Sequence, residues 1–433
     1  MIWQAGETRL ANMILPCRIH RGRKRNRVDP LRLTLLLATC FLAPIGEVVS
    51  QDAIGSAAEA AGVGWLPAVP IQITAGLDTG YNDNVTLQQS GEGSIFTREN
   101  VVLTYNRPGE RTQFFAMGVG RFSQYFDVSG QNETAGNVTL SLSHNFSSRL
   151  SFYASVYASY QNQPNFQSNV GPENVVSPFF DTVDIFSLTY HWSSRLSLVT
   201  SYTFERVQYF SSSNGNSQNG VQNTLDQNRL QNTFSEALQF NLTSRTVLVG
   251  EYRYETINYD TAPNDSTTHF LLGGVNHNLT EHLIVHVLAG ESFRSLENAG
   301  GSSLPYFEGR LEYTRSNYSL NGVASYGFES PTTEGAATTK TLRTGLNLTC
   351  NLTSRLSSTT GIYYHHDENQ TSASAETGSA GSQDSLDLLL GLNYRINTRL
   401  AVHVNYNYTS QSSMAGTPGY SRNSYSAGLT YTY

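Results

Sequence analysis

The stretch Tyr425-Ser426-Ala427-Gly428-Leu429-Thr430-Tyr431-Thr432-Tyr433 alternates between apolar and small polar side chains without a break and ends on an aromatic. Successive side chains of a strand point to opposite faces. Tyr425, Ala427, Leu429, Tyr431 and Tyr433 would therefore share one face, and Ser426, Gly428, Thr430 and Thr432 the other. Few soluble sheets finish on their outermost aromatic. A closed barrel in a membrane requires it, because the last strand seals the wall, turns its apolar face to lipid and ends among interfacial aromatics.

A turn motif recurs upstream. Asn145-Phe146-Ser147-Ser148-Arg149-Leu150 returns at His191–Leu196, Asn241–Thr246, Asn278–Leu283, Asn351–Leu356 and Arg395–Leu400. Thr314-Arg315-Ser316-Asn317 fills the one wide gap, and Asn106-Arg107-Pro108-Gly109-Glu110 supplies an earlier turn. Asn, Ser, Thr and Gly form turns by bonding local backbone or by tolerating left-handed angles. The segments between are period-2 strands, as in Leu400, Val402, Val404, Tyr406 and Tyr408, interleaved with Ala401, His403, Asn405, Asn407 and Thr409. Eight short turns, with a strand pair before the first and after the last, predict a closed antiparallel transmembrane β-barrel of about 18 strands. A count of 16 holds if the first pair, near Ile71–Asn106, lies outside the wall. Propeller and β-helix repeats would carry Gly or Trp-Asp signatures that are missing here. The Asn-X-Ser/Thr triplets fall largely inside the turn motif, so they read as turn chemistry rather than glycosylation sites.

Residues 1–50 differ in kind from the rest. Eight basic residues, from Arg9 to Arg32, precede an apolar run from Leu33 to Leu42 and small residues up to Ser50. That order predicts a signal peptide cleaved near Ser50, with Met13 as a candidate internal start. Leu37-Ala38-Thr39-Cys40 is a weaker lipoprotein-like alternative. Without the leader, 27 basic residues fall to 19 and 34 acidic ones to 31, a net charge near −12, which disfavours nucleic acid. Cys350 remains alone after the leader, so no disulfide is expected. Residues 51–70 form a short N-terminal stretch, too small for a plug domain, and 71–433 would be the barrel. The mean hydropathy of −0.33 does not oppose this, since only alternate residues of such a strand face lipid.

Gly80-Tyr81-Asn82-Asp83-Asn84-Val85, the Asn/Ser/Thr-Arg-Leu turns and the aromatic-ended last strand resemble the family called Putative beta-barrel porin 2, over roughly residues 70–433. The resemblance implies a barrel in the bacterial outer membrane and a pore, and hands over no catalytic residue.

Charges alternating with the apolar face must point into water. Glu251, Arg253 and Glu255, and Glu308, Arg310 and Glu312, are accordingly candidate pore-lining residues; simple cross-strand pairing is the plainer reading. Glu236 shares parity with Phe234, Leu238 and Phe240, which predicts a bulge or a different strand register there rather than a carboxylate in lipid. Gln163–Phe180, with Asn165, Phe166, Pro172, Pro178 and Phe179, is a candidate constriction loop. Tyr425, Leu429, Tyr431 and Tyr433 are the candidate assembly signal, making the barrel-assembly machinery a partner during biogenesis. His365-His366-Asp367-Glu368 could suggest a metal or hydrolytic site, but adjacent side chains on a strand diverge. Asp78, Asn82, Asp83 and Asn84 could ligate calcium or simply form a turn beside Gly80. No metal and no cofactor is expected.

The sequence thus predicts an outer-membrane channel in contact with membrane lipid and small hydrophilic solutes. The alternatives are a conduit for exported polysaccharide, a structural or adhesive barrel and, last, an outer-membrane hydrolase. Oligomeric state, solute and gating stay open.

Overall fold

The computed structural model describes residues 71–162, 178–210, 227–261, 264–297, 300–331, 336–371, 381–413 and 418–433. The predicted leader and residues 51–70 lie outside them. Eighteen strands follow one another: β1 Ile71–Asn82, β2 Ser94–Arg107, β3 Thr112–Tyr125, β4 Glu133–Asn145, β5 Leu150–Gln161, β6 Phe179–His191, β7 Leu196–Tyr209, β8 Arg229–Asn241 and β9 Thr246–Tyr259. They continue as β10 Ser266–Asn278, β11 Leu283–Leu296, β12 Gly300–Arg315, β13 Tyr318–Glu329, β14 Ala336–Asn351, β15 Leu356–Thr371, β16 Gly381–Arg395, β17 Leu400–Gln411 and β18 Tyr420–Thr432. Each pairs antiparallel with its sequence neighbours, and β1 pairs with β18, so the barrel closes at 18 strands with the first pair in the wall.

The turn motif explains itself in hydrogen bonds. Its third residue donates its backbone N–H to the carbonyl of the sixth, as in Ser147 to Leu150 at 3.2 Å and Thr353 to Leu356 at 3.0 Å. The same residue's side chain accepts from the N–H groups of the fifth and sixth: Ser147 from Arg149 and Leu150, Thr353 from Arg355 and Leu356, Asn397 from Arg399 and Leu400. A short side-chain oxygen is therefore required at that position, which is why it is Ser, Thr or Asn throughout.

Alternation sets the two faces. On β1, Ile71, Ile73, Leu77 and Tyr81 are exposed while Thr74, Asp78 and Asn82 are buried. On β18, Tyr425, Leu429 and Tyr431 are exposed and Ser426 is buried, with Tyr433 continuing the exposed row. The other strands repeat the pattern, so a belt of large apolar side chains covers one surface.

Glu236 corrects an expectation. The β7–β8 and β8–β9 ladders run past it without a register shift, so there is no bulge. The carboxylate stands on the apolar surface with Phe234 and Leu238 and accepts a bond from Thr200 Oγ1 at 2.9 Å. A local acceptor–donor pair, rather than a break in the strand, lowers the cost of leaving water.

The seam between first and last strands is tied at two places. Along β1–β18, nine residue pairs run from Thr74–Thr432 to Asn82–Ser424. Just beyond, Asp83 accepts from the backbone N–H of Asn423 at 2.6 Å and from its side-chain amide at 2.7 Å. Asn84 donates to the Ser421 carbonyl at 2.9 Å. A Cβ on Gly80 would lie 2.1 Å from the Tyr425 carbonyl oxygen, so only glycine lets the strands approach there. On the opposite face from the apolar belt, Asp78 holds His403 of β17 across Gly428 and accepts from Asn100 of β2 at 3.1 Å. The motif Gly80–Val85 is thus a clasp across the closure.

Candidate functional site on the inward face

Which face is the lumen is decided by contacts that skip strands. Arg253 of β9 lies 3.5 Å from Glu308 of β12 and donates to the Tyr306 hydroxyl at 3.1 Å, two strands being interposed. Arg294 of β11 pairs with Glu255 of β9 at 3.2 Å and donates to Thr338 of β14 at 3.0 Å. Such contacts can form only across the concave side of a curved wall. The polar face therefore looks inward, and the apolar belt looks out.

Glu251, Arg253 and Glu255 all stand on this inward face, as do Glu308, Arg310 and Glu312. Arg253 joins two of them, Glu251 and Glu308. Its Nε donates to Glu251 at 3.0 Å, and its guanidinium lies 5.6 Å from the ring centroids of Phe270 and Tyr306. The Tyr306 hydroxyl donates to Glu308 at 2.6 Å. Arg294 is 3% exposed and fully engaged, by Thr268, the Glu329 carbonyl, Thr338 and Glu255, with its guanidinium 5.0 Å from the Phe328 centroid. Arg310 and Glu312 form a looser pair at 3.9 Å. Glu255 also accepts from Gln231 at 3.0 Å. The arrangement is a chain of charge-assisted bonds around β8 to β14, which ties strands together along the inward face.

The proposed constriction loop falls mostly outside the described residues: Asn165, Phe166 and Pro172 are not among them. Pro178 accepts from the Phe210 N–H at 2.9 Å, and Phe179 opens β6, packed inward on Val207 and Tyr209. A different loop, Asp83–Gly93, packs against the inner side of the wall at the long-loop end. Val85 packs on the inward-facing Phe96 and Tyr125, and Leu87 is 2% exposed at φ 55°. A left-handed leucine is sterically costly; burial of its side chain offsets that cost. Only the Asn and Asp run beside Gly80 signalled this loop.

The calcium alternative does not assemble. Asn82 caps the Asn84 N–H at 3.0 Å, Asp83 is spent on Asn423, and Asp78 is held by Asn100 and His403. His365 and His366 diverge: His365 is buried inward 3.6 Å from Asp367, whereas His366 faces out, 2.8 Å from Asp384. Among the described residues no group of three or more His, Cys, Asp or Glu could hold a metal. At the short-turn end, a recess of about 470 Å³ is lined by Thr74, Asn351, Arg355, Arg395, Asn397 and Thr432.

A family model described as Putative beta-barrel porin 2 matches residues 71–433, the whole of the wall. The chain belongs to that family. No curated protein sequence matches it. Among solved structures, the siderophore receptor PirA from Acinetobacter baumannii aligns over 85% of this chain and 81% of its own, at 10% identity and a TM-score of 0.43. PirA from Pseudomonas aeruginosa aligns over the same shares at 12% identity and a TM-score of 0.38. A bacterial polysaccharide outer membrane secretin covers 84% of this chain and 99% of its own, at 8% identity and a TM-score of 0.33. Values this low say nothing about what this barrel carries.

Proposed function

We propose that this barrel is a non-catalytic outer-membrane channel for passive passage of small hydrophilic solutes, with its short turns in the periplasm and its long loops outside. The observation that carries the reading is the charged, hydrogen-bonded concave face of a closed 18-strand wall. Barrels of 16 to 18 strands are wide enough for an aqueous channel, and short turns face the periplasm in such proteins. Carboxylates outnumber arginines at the inward strand positions, so cations should pass more readily than anions.

Planar-bilayer recording tests this. The folded protein should give discrete ohmic steps, with a reversal potential in a salt gradient that favours cations. Silence from folded protein would count against a channel and favour a structural barrel or a gated conduit for polysaccharide. Anion preference would leave the channel standing and refute the assignment of its lining.

A further inference from the structure

Charge is segregated along the barrel axis. The nine connections at the long-loop end contain no Lys or Arg in sequence, although they hold ten Asp and Glu. At the other end, nine of the 19 Lys and Arg of residues 71–433 lie in or beside the eight short turns, against only Glu110 and Glu281. The net negative chain thus carries a basic collar.

The repeated turn geometry places that collar in register. The fifth residue is Arg149, Arg195, Arg245, Arg355 and Arg399 in five of the six motif turns, and each is exposed; Arg355 and Arg399 also line the recess at this end, which leaves Arg149, Arg195 and Arg245 as the collar residues clear of it. The second residue is apolar in all six and is exposed too, at 56% for Phe146, 66% for Trp192 and 53% for Leu352. These residues continue the outward row: Phe146 packs on His144, with ring centroids 4.6 Å apart, and Trp192 follows the exposed Leu188 and Tyr190 at the same parity. An apolar side chain facing outward with an arginine three residues on fits one environment, the boundary between acyl chains and headgroups.

The geometry points to a docking surface for anionic phospholipid headgroups: the arginine collar binds the phosphates of the leaflet the short turns enter, and the apolar turn residues anchor beneath them. This rests on the membrane-channel reading above and adds the lipid class. Arginine suits the task because its planar fork bonds phosphate oxygens in pairs. The acidic loop end has no such complement, so the surface distinguishes the two leaflets.

Trp192 is the sole tryptophan of residues 71–433 and sits in the collar. With Trp3 and Trp65 replaced by Phe, its fluorescence in reconstituted full-length protein reports the lipid beside it. Quenching by dibrominated phosphatidylglycerol is compared with quenching by dibrominated phosphatidylcholine in vesicles of each. The expected preference is about fivefold for phosphatidylglycerol, lost at high salt as screening grows. Replacing Arg149, Arg195, Arg245, Arg355 and Arg399 together by Gln should bring the ratio close to one. Arg195→Gln alone, in the turn of the reporter, should lower it and covers the case in which the fivefold variant does not fold. A ratio near one for the heat-modifiable wild type, or a preference that Arg195→Gln leaves intact, overturns the collar while the barrel stands. Failure to insert into either vesicle would instead overturn the membrane reading on which the collar depends.

Discussion

Arg253 is the residue on which the inward charge pattern turns, because it neutralises Glu251 and Glu308 at once. Its removal and theirs should push selectivity in opposite directions. Arg253→Gln frees two carboxylates and should raise the cation-to-anion permeability ratio. Glu251→Lys with Glu308→Lys should lower it below the wild-type value. Reversal potentials in a potassium chloride gradient read both, and shifts of the same sign would show that these residues do not line the conducting path. Arg253→Gln should also destabilise the wall by about 2 kcal/mol, since charge-assisted bonds are lost. Glu236 works the other way. Its carboxylate faces the apolar surface, so Glu236→Gln keeps an acceptor for Thr200 and removes the charge. That change should stabilise the folded barrel in vesicles by about 1 kcal/mol in a urea titration, and destabilisation would mean that the charge has a partner outside this chain.

At the scale of the element, the closing strand offers a direct comparison of faces. Tyr433 is 65% exposed and bonds Ile73 through its backbone in both directions, at 3.2 and 2.8 Å. Thr432 faces inward, its hydroxyl 3.1 Å from that of Thr74. Tyr433→Asp places charge in the outward row and should block insertion while leaving export intact, whereas Thr432→Asp should insert with a modest loss. Fractionation of cells expressing each variant reads this, and equal damage would contradict the faces. Strand parity and the turn motif made the wall legible in sequence, because each depends on side chains a few residues apart. Glu236 was not legible: parity placed it outward, and only the unbroken ladders and Thr200 show how the site tolerates it. Nor was the reach of Arg253 to Glu308, which depends on the stagger of four strands and the curvature of the wall. The Asn82–Asn84 run announced a turn, but its bonds to Ser421 and Asn423 join opposite ends of the chain and leave no local signature.

For the whole molecule, closure is the property from which detergent resistance follows: with β1 paired to β18 no strand edge is left to unzip. Unboiled protein in SDS should therefore migrate apart from boiled protein, and its circular dichroism should be β-dominated. The carboxylate ties at Asp83 and Asp78 predict where opening begins. Asp83→Ala removes both carboxylate acceptors that hold Asn423, leaving the backbone bonds of the seam and the Asn84 bond to Ser421. The temperature at which the folded band disappears should fall by several degrees. His403→Gln loosens the inward tie to Asp78 and should lower it as well, and the two together should exceed either alone, because they act at separate points on one seam. Asp260→Ala is the control. It breaks an equally close pair, with Arg206 Nη1 at 2.8 Å, but an exposed one away from the seam, and exposed pairs contribute at most about 1 kcal/mol. If Asp260→Ala lowered the transition as far as Asp83→Ala, the seam would hold no special place in unfolding. If wild-type protein migrated identically before and after boiling, closure would not govern its stability in detergent at all.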